Sequence, residues 1–352
     1  MQVTYIPSEE VNSDLGVVNA ARVSLAKRST WKWNNPVDEL GNTHGLWDAD
    51  RKLVTYLASY NHWTPFAHSR LYFEIDWKDS SHELSFYRHY NPGGFSIISV
   101  EGLSYIKGSL YSWLSNIDIF RKPVQESILQ HCYKMYPIST QALHKAEFEY
   151  FHYGSGILNM DENFVNVKAF QDPLWYKLLT ATLLVKVPIF IARQIRTSQV
   201  GISYSDLYVE GESFIYNEVS RRYVNDIPEF YEIKDWRVRE GTSIKQGSTG
   251  LASGDSMAIA RGMNIDTIIT AKEQYIEGVS RHIAPEQLRS LLPQSMYTEF
   301  YMTATLHRWA QWVDLRMKPD VQYETRECAC MIRDVLSTQF PQWAIYYALS
   351  SL

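Results

Sequence analysis

The chain has 352 residues, 45% of them hydrophobic and 21% charged, with a formal net charge of -5. That size and apolar fraction allow one large domain or two ordinary ones around a substantial core. The negative balance argues against a polyanion-binding surface, so phosphate recognition has to be a local pocket and no nucleic acid polymer is expected as a partner.

Gln2 to Ile6 reads as a short strand. Ser13 is placed to cap a helix from about Asp14 to Ala26, with Val17, Val18, Ala21 and Leu25 apolar. A second helix runs from about Asp48 to Tyr60, and Asn61-His62-Trp63-Thr64-Pro65 then turns the chain. Leu71, Phe73, Ile75 and Trp77 alternate with polar positions, the pattern of a half-buried strand. From about Lys78 to Lys177 the character changes. A turn at Asn91-Pro92-Gly93-Gly94 and mixed aromatic and polar segments precede helices near Pro123 to Met135 and Ser139 to Phe151, so 78–177 reads as an inserted, mostly helical subdomain.

Leu178 to Lys186 resumes a strand pattern, and Pro188 stands where helices begin, followed by a helix from Ile189 to about Gln199. Asp235 to Asp255 is polar and Gly-rich, hence a loop; its Lys245-Gln246-Gly247-Ser248-Thr249-Gly250 lacks the residue order of a phosphate loop. A long helix follows from about Met257 to His282, then a short one from Pro285. A strand from Met296 to Thr303 and helices from Thr305 to Arg316 and Val321 to Gln339 complete the chain, with no internal repeat.

Cys132, Cys328 and Cys330 are the only cysteines, an odd, sparse set that speaks for a reducing compartment and against a disulfide framework. Cys328-Ala329-Cys330 has no second ligand pair nearby, so no metal site is expected. The N-terminus lacks a signal-peptide layout and no apolar run approaches a membrane span, which points to a cytoplasmic protein without a membrane partner.

The segment Asn217-Glu218-Val219-Ser220-Arg221-Arg222-Tyr223 gathers an amide, a carboxylate, a hydroxyl, two guanidiniums and a phenol. Such a run suits a cradle for a small anion, with arginines forking onto phosphate and the hydroxyl and amide bonding a planar ring. A solvated helix end satisfies the same composition.

Its neighbours separate the two. In order, Ala20-Ala21-Arg22-Val23-Ser24, His62-Trp63-Thr64-Pro65-Phe66-Ala67-His68, Val187-Pro188-Ile189-Phe190-Ile191-Ala192-Arg193-Gln194, the heptad itself, Arg289-Ser290-Leu291-Leu292-Pro293, Tyr297-Thr298-Glu299, Leu315-Arg316 and Val321-Gln322-Tyr323-Glu324-Thr325-Arg326 resemble the flavin-dependent thymidylate synthase family. The resemblance covers both ends of the chain and leaves 78–177 without a counterpart in a minimal member. It implies an α+β fold: a central, mainly antiparallel sheet flanked by helices, formed by 1–77 and 178–352, with the large insertion at 78–177.

The resemblance also implies a reaction, the reductive methylation of deoxyuridylate (dUMP) to dTMP. The implied carbon donor is 5,10-methylenetetrahydrofolate, the hydride source is reduced FAD, NADPH reduces the flavin, and the assembly is a homotetramer. Gln194, Glu218, Ser220, Arg221, Arg222 and Arg289 match the dUMP-binding positions. Arg316 matches the arginine that faces the pyrimidine, and His62 a position at the flavin and folate face. For FAD the matching positions are Ser24, Thr64, Ser198, Gln199, Thr305, His307 and Gln311.

The chain departs from the family at several flavin-side positions. An Arg-His-Arg triplet of the family falls on the neutral Thr197-Ser198-Gln199, and the family's Asn-x-Arg and Asn positions are Thr305, His307 and Gln311 in this chain. Arg196, or Arg88 and His89 in the inserted block, are candidates to compensate. The departures admit a related pyrimidine-nucleotide methylase or hydroxymethylase, or a non-catalytic nucleotide-binding relative, as alternatives.

Overall fold

The computed structural model describes residues 1–32, 45–75, 95–100, 103–120, 122–144, 175–197, 214–239, 248 and 250–350. The main sheet has the order β1 (Gln2–Ile6), β5 (Thr180–Pro188), β9 (Tyr297–Thr305), β6 (Ile215–Glu218), and every neighbouring pair is antiparallel. A second sheet joins β2 (Arg70–Ile75), β4 (Leu103–Ser109) and β3 (Phe95–Val100), and β7 (Arg237–Val238) pairs with β8 (Gly250–Leu251). This is the α+β, mainly antiparallel arrangement expected.

Strand periodicity decides which face meets which layer. On β5 and β9 the residues Leu183, Val185, Val187, Phe300, Met302 and Ala304 share one core with the helices α7 (Ile189–Thr197), α10 (Leu306–Arg316), α11 (Tyr323–Gln339) and α12 (Pro341–Ser350). Trp309, Trp312 and Trp343 are fully buried there. Two of them also satisfy their indole N–H groups, Trp309 to the Ala181 carbonyl at 3.1 Å and Trp343 to that of Leu306 at 2.7 Å. Each buried side chain of this size contributes roughly 2–3 kcal/mol by removal from water. The opposite face of β9 carries Tyr301 and Thr303 towards the first part of the chain; Tyr301 packs with Ile6, Val11 and Val23.

That first part forms a second core. It combines α1 (Asp14–Arg22), α2 (Asp48–Ser59), α3 (Thr64–Ala67), β2 and β4 with α4 (Leu110–Ser115), α5 (Lys122–Met135) and α6 (Pro137–Leu143). Trp113 meets Phe73 and Phe95 edge to face, each at 4.6 Å. The buried Asp14 carboxylate accepts from the Ile138 and Ser139 amides at 2.9 and 2.8 Å, so it holds the start of α6. Packing therefore does not follow the expected boundary at residue 77: β2 on one side pairs along its whole length with β4 on the other. The block 78–177 is also not purely helical, because β3 and β4 belong to it. Strand pairing across roughly 30 residues leaves no local trace in sequence.

Several boundaries shift for local reasons. The helix expected to reach Ala26 stops at Arg22, continues as a 3-10 turn over Val23–Leu25, and ends where Ala26 adopts φ 51. β9 runs to Thr305, whose hydroxyl then caps α10 by accepting from the Arg308 amide at 3.1 Å. α8 (Gly254–Ser280) begins three residues before the expected Met257, and α9 (Pro285–Leu288) follows it. Ile215–Glu218 is a strand and Pro341–Ser350 a helix, neither of them expected from the residue pattern.

Candidate nucleotide site

The heptad is not a helix end. Its first two residues finish the edge strand β6, Val219 donates to the Glu299 carbonyl at 2.9 Å, and the chain then turns over 221–223. The Ser220 amide donates to the Ser24 carbonyl at 3.0 Å, tying that turn to the 3-10 segment after α1. Together with Arg289, Ser24, Ile189, Met296, Tyr297 and Thr298, residues 218–223 line a cleft of about 460 Å³. That volume suits a nucleotide-sized ligand.

The cleft is cationic, with its one carboxylate neutralised. Glu218 takes the Arg196 guanidinium on Oε2 at 2.5 Å and the Thr298 hydroxyl on Oε1 at 2.7 Å. The charged pair leaves the carboxylate little repulsion to offer an incoming anion. Arg221 bonds the Asp226 carbonyl at 2.8 Å and reaches its carboxylate at 3.6 Å. Arg222 bonds the Ser220 hydroxyl through Nε at 3.3 Å and lies over the Tyr223 ring at 5.0 Å. Arg289, just after α9, bonds the Glu286 carbonyl through Nε at 3.1 Å. Among the described residues, the terminal nitrogens of Arg222 and Arg289 are left for an anion, the fork geometry that phosphate requires.

Gln194 and Arg316 are not among the residues lining this cleft. Residues two apart on a helix face opposite ways. Arg196 of α7 therefore points to Glu218, whereas Gln194 turns to α11. There its amide nitrogen donates to the Gln322 side chain, and its oxygen accepts from the Thr325 hydroxyl at 3.0 Å. Arg316, at the end of α10, donates to the Gln194 carbonyl at 2.9 Å and is half-buried, which lowers its pKa from a value so high that it stays a cation. So one chain presents an arginine-lined cleft and, on the far side of α7, a separate cluster of Gln194, Arg316, Gln322 and Thr325. Sequence offers Arg196 only as a candidate to replace a lost flavin-side arginine; its pairing with Glu218 was not expected.

His62 and Thr64 are exposed at the start of α3, with the His62 ring 6.0 Å from that of Tyr56. Ser198, Gln199, Arg88 and His89 lie outside the described residues. Burial raises the thiol pKa of Cys132 and pushes that of Cys328 up to about 12, so neither is a poised nucleophile. Among the described residues no group of His, Cys, Asp or Glu could hold a metal, and no helix is long and apolar enough to cross a membrane.

The family described as Thy1, thymidylate synthase complementing protein, matches residues 176–342, which hold β5, α7, the heptad, Arg289 and Arg316. The flavin-dependent thymidylate synthase of Thermus thermophilus is 32% identical over 167 residues, 46% of this chain and 54% of the relative. That of Aquifex aeolicus is 26% identical over 339 residues, 93% of this chain and 95% of the relative. The chain is thus similar to flavin-dependent thymidylate synthases, over 176–342 by the family model and over most of its length by the Aquifex relative. The match spans about half the length of the Thermus relative and nearly all of the Aquifex one. A solved UMP/dUMP methylase from Streptomyces cacaoi, bound with 5-Br UMP, aligns over 100% of this chain and 95% of its own at 16% identity, with a TM-score of 0.41.

Flavin-dependent thymidylate synthases take their name from a flavin, and of the described positions matched to FAD only Ser24 lines the cleft. Thr305 lies at the other end of β9 from Thr298, roughly 23 Å away at about 3.3 Å per residue. Its hydroxyl is used as the cap of α10. His307 and Gln311 bond each other at 3.1 Å, and Arg308 bonds the Gln311 oxygen at 2.9 Å. These side chains of α10 form a set distinct from the cleft.

Proposed function

We propose that the cleft binds dUMP and that the chain methylates its pyrimidine ring reductively to dTMP. In this reading 5,10-methylenetetrahydrofolate supplies the carbon, reduced FAD the hydride, and NADPH the electrons for the flavin. The observation that carries the nucleotide assignment is the convergence of Ser220, Arg221, Arg222 and Arg289 on one cleft beside a charge-paired Glu218.

Each residue then has a role that its geometry allows. Arg222 and Arg289 take the phosphate with their terminal nitrogens, and Ser220 supplies a hydroxyl to the same anion or to the sugar. Arg221, anchored on Asp226, adds positive potential without leaving its own partner. Arg316 stabilises negative charge developing on a ring carbonyl, which makes the ring carbon nucleophilic. His62 and Thr64, exposed beside the N-terminal lobe, face the flavin and folate.

The same reading asks for a second copy. Gln194 and Arg316 lie behind α7 from the phosphate cleft, and the α10 set lies at the far end of β9, so a complete site forms between subunits of a homotetramer. Ile259, Met263, Ile269 and Ile276 of α8 are 62%, 66%, 49% and 46% exposed, an apolar surface that a single chain leaves uncovered. The test is calorimetric. Wild type binds dUMP, and Ser220→Ala and Arg222→Ala weaken binding about 10- to 100-fold, the loss of a charge-assisted contact. Equal affinity in all three proteins contradicts the assignment of the cleft.

A further inference from the structure

His68 sits between α3 and β2 and is only 1% exposed. Its Nδ1 is 2.7 Å from the Thr303 hydroxyl of β9, and its Nε2 is 3.2 Å from the Asn217 side-chain oxygen of β6. Thr303 Oγ1 is in turn 2.6 Å from Thr182 Oγ1 of β5. The Tyr301 ring meets the imidazole edge to face at 6.1 Å.

The donors run one way through this chain. An amide oxygen only accepts, so Nε2 carries the proton. Nδ1 then bears the lone pair and accepts from Thr303, whose oxygen is left to accept from Thr182. Thr182, Thr303, His68 and Asn217 thus form a directed relay that fixes the imidazole as one neutral tautomer. Burial, helped by the charge of Arg70, lowers the imidazole pKa to about 3 and keeps it neutral near pH 7.

The relay links three strands of the main sheet to the first lobe, and its last member is the first residue of the heptad. β6 is four residues long and lies at the sheet edge, bonded to β9 alone. Beyond it, Ser220 has the Ser24 carbonyl as its backbone anchor. The exit direction of β6 sets where Glu218 meets Arg196 and where Ser220 and Arg222 face the cleft.

We propose that His68 is a positioning residue for the nucleotide cleft: it holds Asn217, and through it the exit of β6, without touching the ligand. The binding readout rests on the dUMP reading; the exchange readout does not.

The experiment compares wild type, His68→Leu, His68→Gln and Asn217→Ala by hydrogen exchange and by dUMP kinetics. Gln keeps an N–H close to the position of Nε2, whereas Leu removes both contacts. His68→Leu and Asn217→Ala are expected to speed exchange across 214–223 while α11 exchanges as in wild type, and His68→Gln to restore most of the protection. KM for dUMP is expected to rise about tenfold or more in His68→Leu, with a smaller change in kcat, and to recover in His68→Gln. If His68→Leu does not fold, His68→Gln and Asn217→Ala still decide by their exchange pattern. Unchanged exchange across 214–223 in Asn217→Ala, or loss of protection throughout the chain, overturns the proposal. Wild type that does not bind dUMP but shows the local exchange pattern overturns the functional reading and leaves the positioning role standing.

Discussion

Gly278 controls how closely α9 approaches α8, and so where Arg289 stands. A Cβ at this position would fall inside contact distance of Leu288 Cδ2 and within 3.0 and 3.1 Å of its Cδ1 and Cγ. Leu288 is buried, 4% exposed, so it has little room to move, and Arg289 is the next residue along the chain. Gly278→Ala gains about 1 kcal/mol in helix propensity and loses about 1–3 kcal/mol to overpacking. The expected net effect is about 1 kcal/mol of destabilisation, read as a lowered denaturation midpoint at unchanged m-value. The sharper readout is ligand affinity: pushing α9 outward by about 1 Å moves Arg289 out of the cleft and weakens dUMP binding several-fold. Adding Leu288→Ala relieves the clash, so the double variant is expected to be less destabilised than the sum of the singles by about 1–3 kcal/mol. A stabilised Gly278→Ala protein with wild-type affinity, and additive singles, would show that this contact does not place Arg289.

Asp14→Ala removes a buried acceptor for two backbone amides and the Ser139 hydroxyl, the last at 2.5 Å, and is expected to destabilise by about 2–4 kcal/mol in chemical denaturation. Arg196→Gln leaves Glu218 unneutralised in an anion cleft; dUMP affinity is expected to fall and to recover in part in the Arg196→Gln/Glu218→Gln double variant, measured by calorimetry. Acid stability follows His68. Its pKa falls from 6.5 to about 3 on folding, so the unfolded chain takes up a proton first. The stabilisation is full above about pH 6.5 and is lost as pH drops towards 3, by at most about 5 kcal/mol at about 1.4 kcal/mol per tenfold change. Arg70 and the neutral Asn217, Thr303 and Tyr301 surround the ring, and none of them compensates its charge. The His68→Gln protein, which has no such group, is expected to lose less stability than wild type between pH 6 and 4.

Much of the fold was legible where signals are local. Ser13 caps α1 as its residue type suggested, accepting from the Gly16 amide at 3.3 Å, and Pro188 immediately precedes α7. The hairpin β3–β4 was not legible, because its partner β2 lies far back in the chain and the pairing, not the local pattern, makes it a strand. The same holds for β6, whose four residues become a strand by joining β9. In the site, residues 218–223 of the heptad and Arg289 were legible as residue types and line one cleft, whereas Asn217 turns to His68. The placement of Gln194 and Arg316 behind α7 was not, since it follows from helix phase and from packing on α11. Arg196 was visible only as a cation beside three neutral positions; its contact with Glu218 needed three dimensions.

Tritium release from ring-labelled dUMP reads the proposed chemistry itself, at the ring carbon that gains the methyl group. With FAD, NADPH and 5,10-methylenetetrahydrofolate present, wild type is expected to release tritium. Arg316→Ala is expected to abolish release while flavin binding stays largely intact. No release from wild type under any folate condition would contradict the synthase reading, and loss of flavin from Arg316→Ala would show that this arginine serves a different ligand.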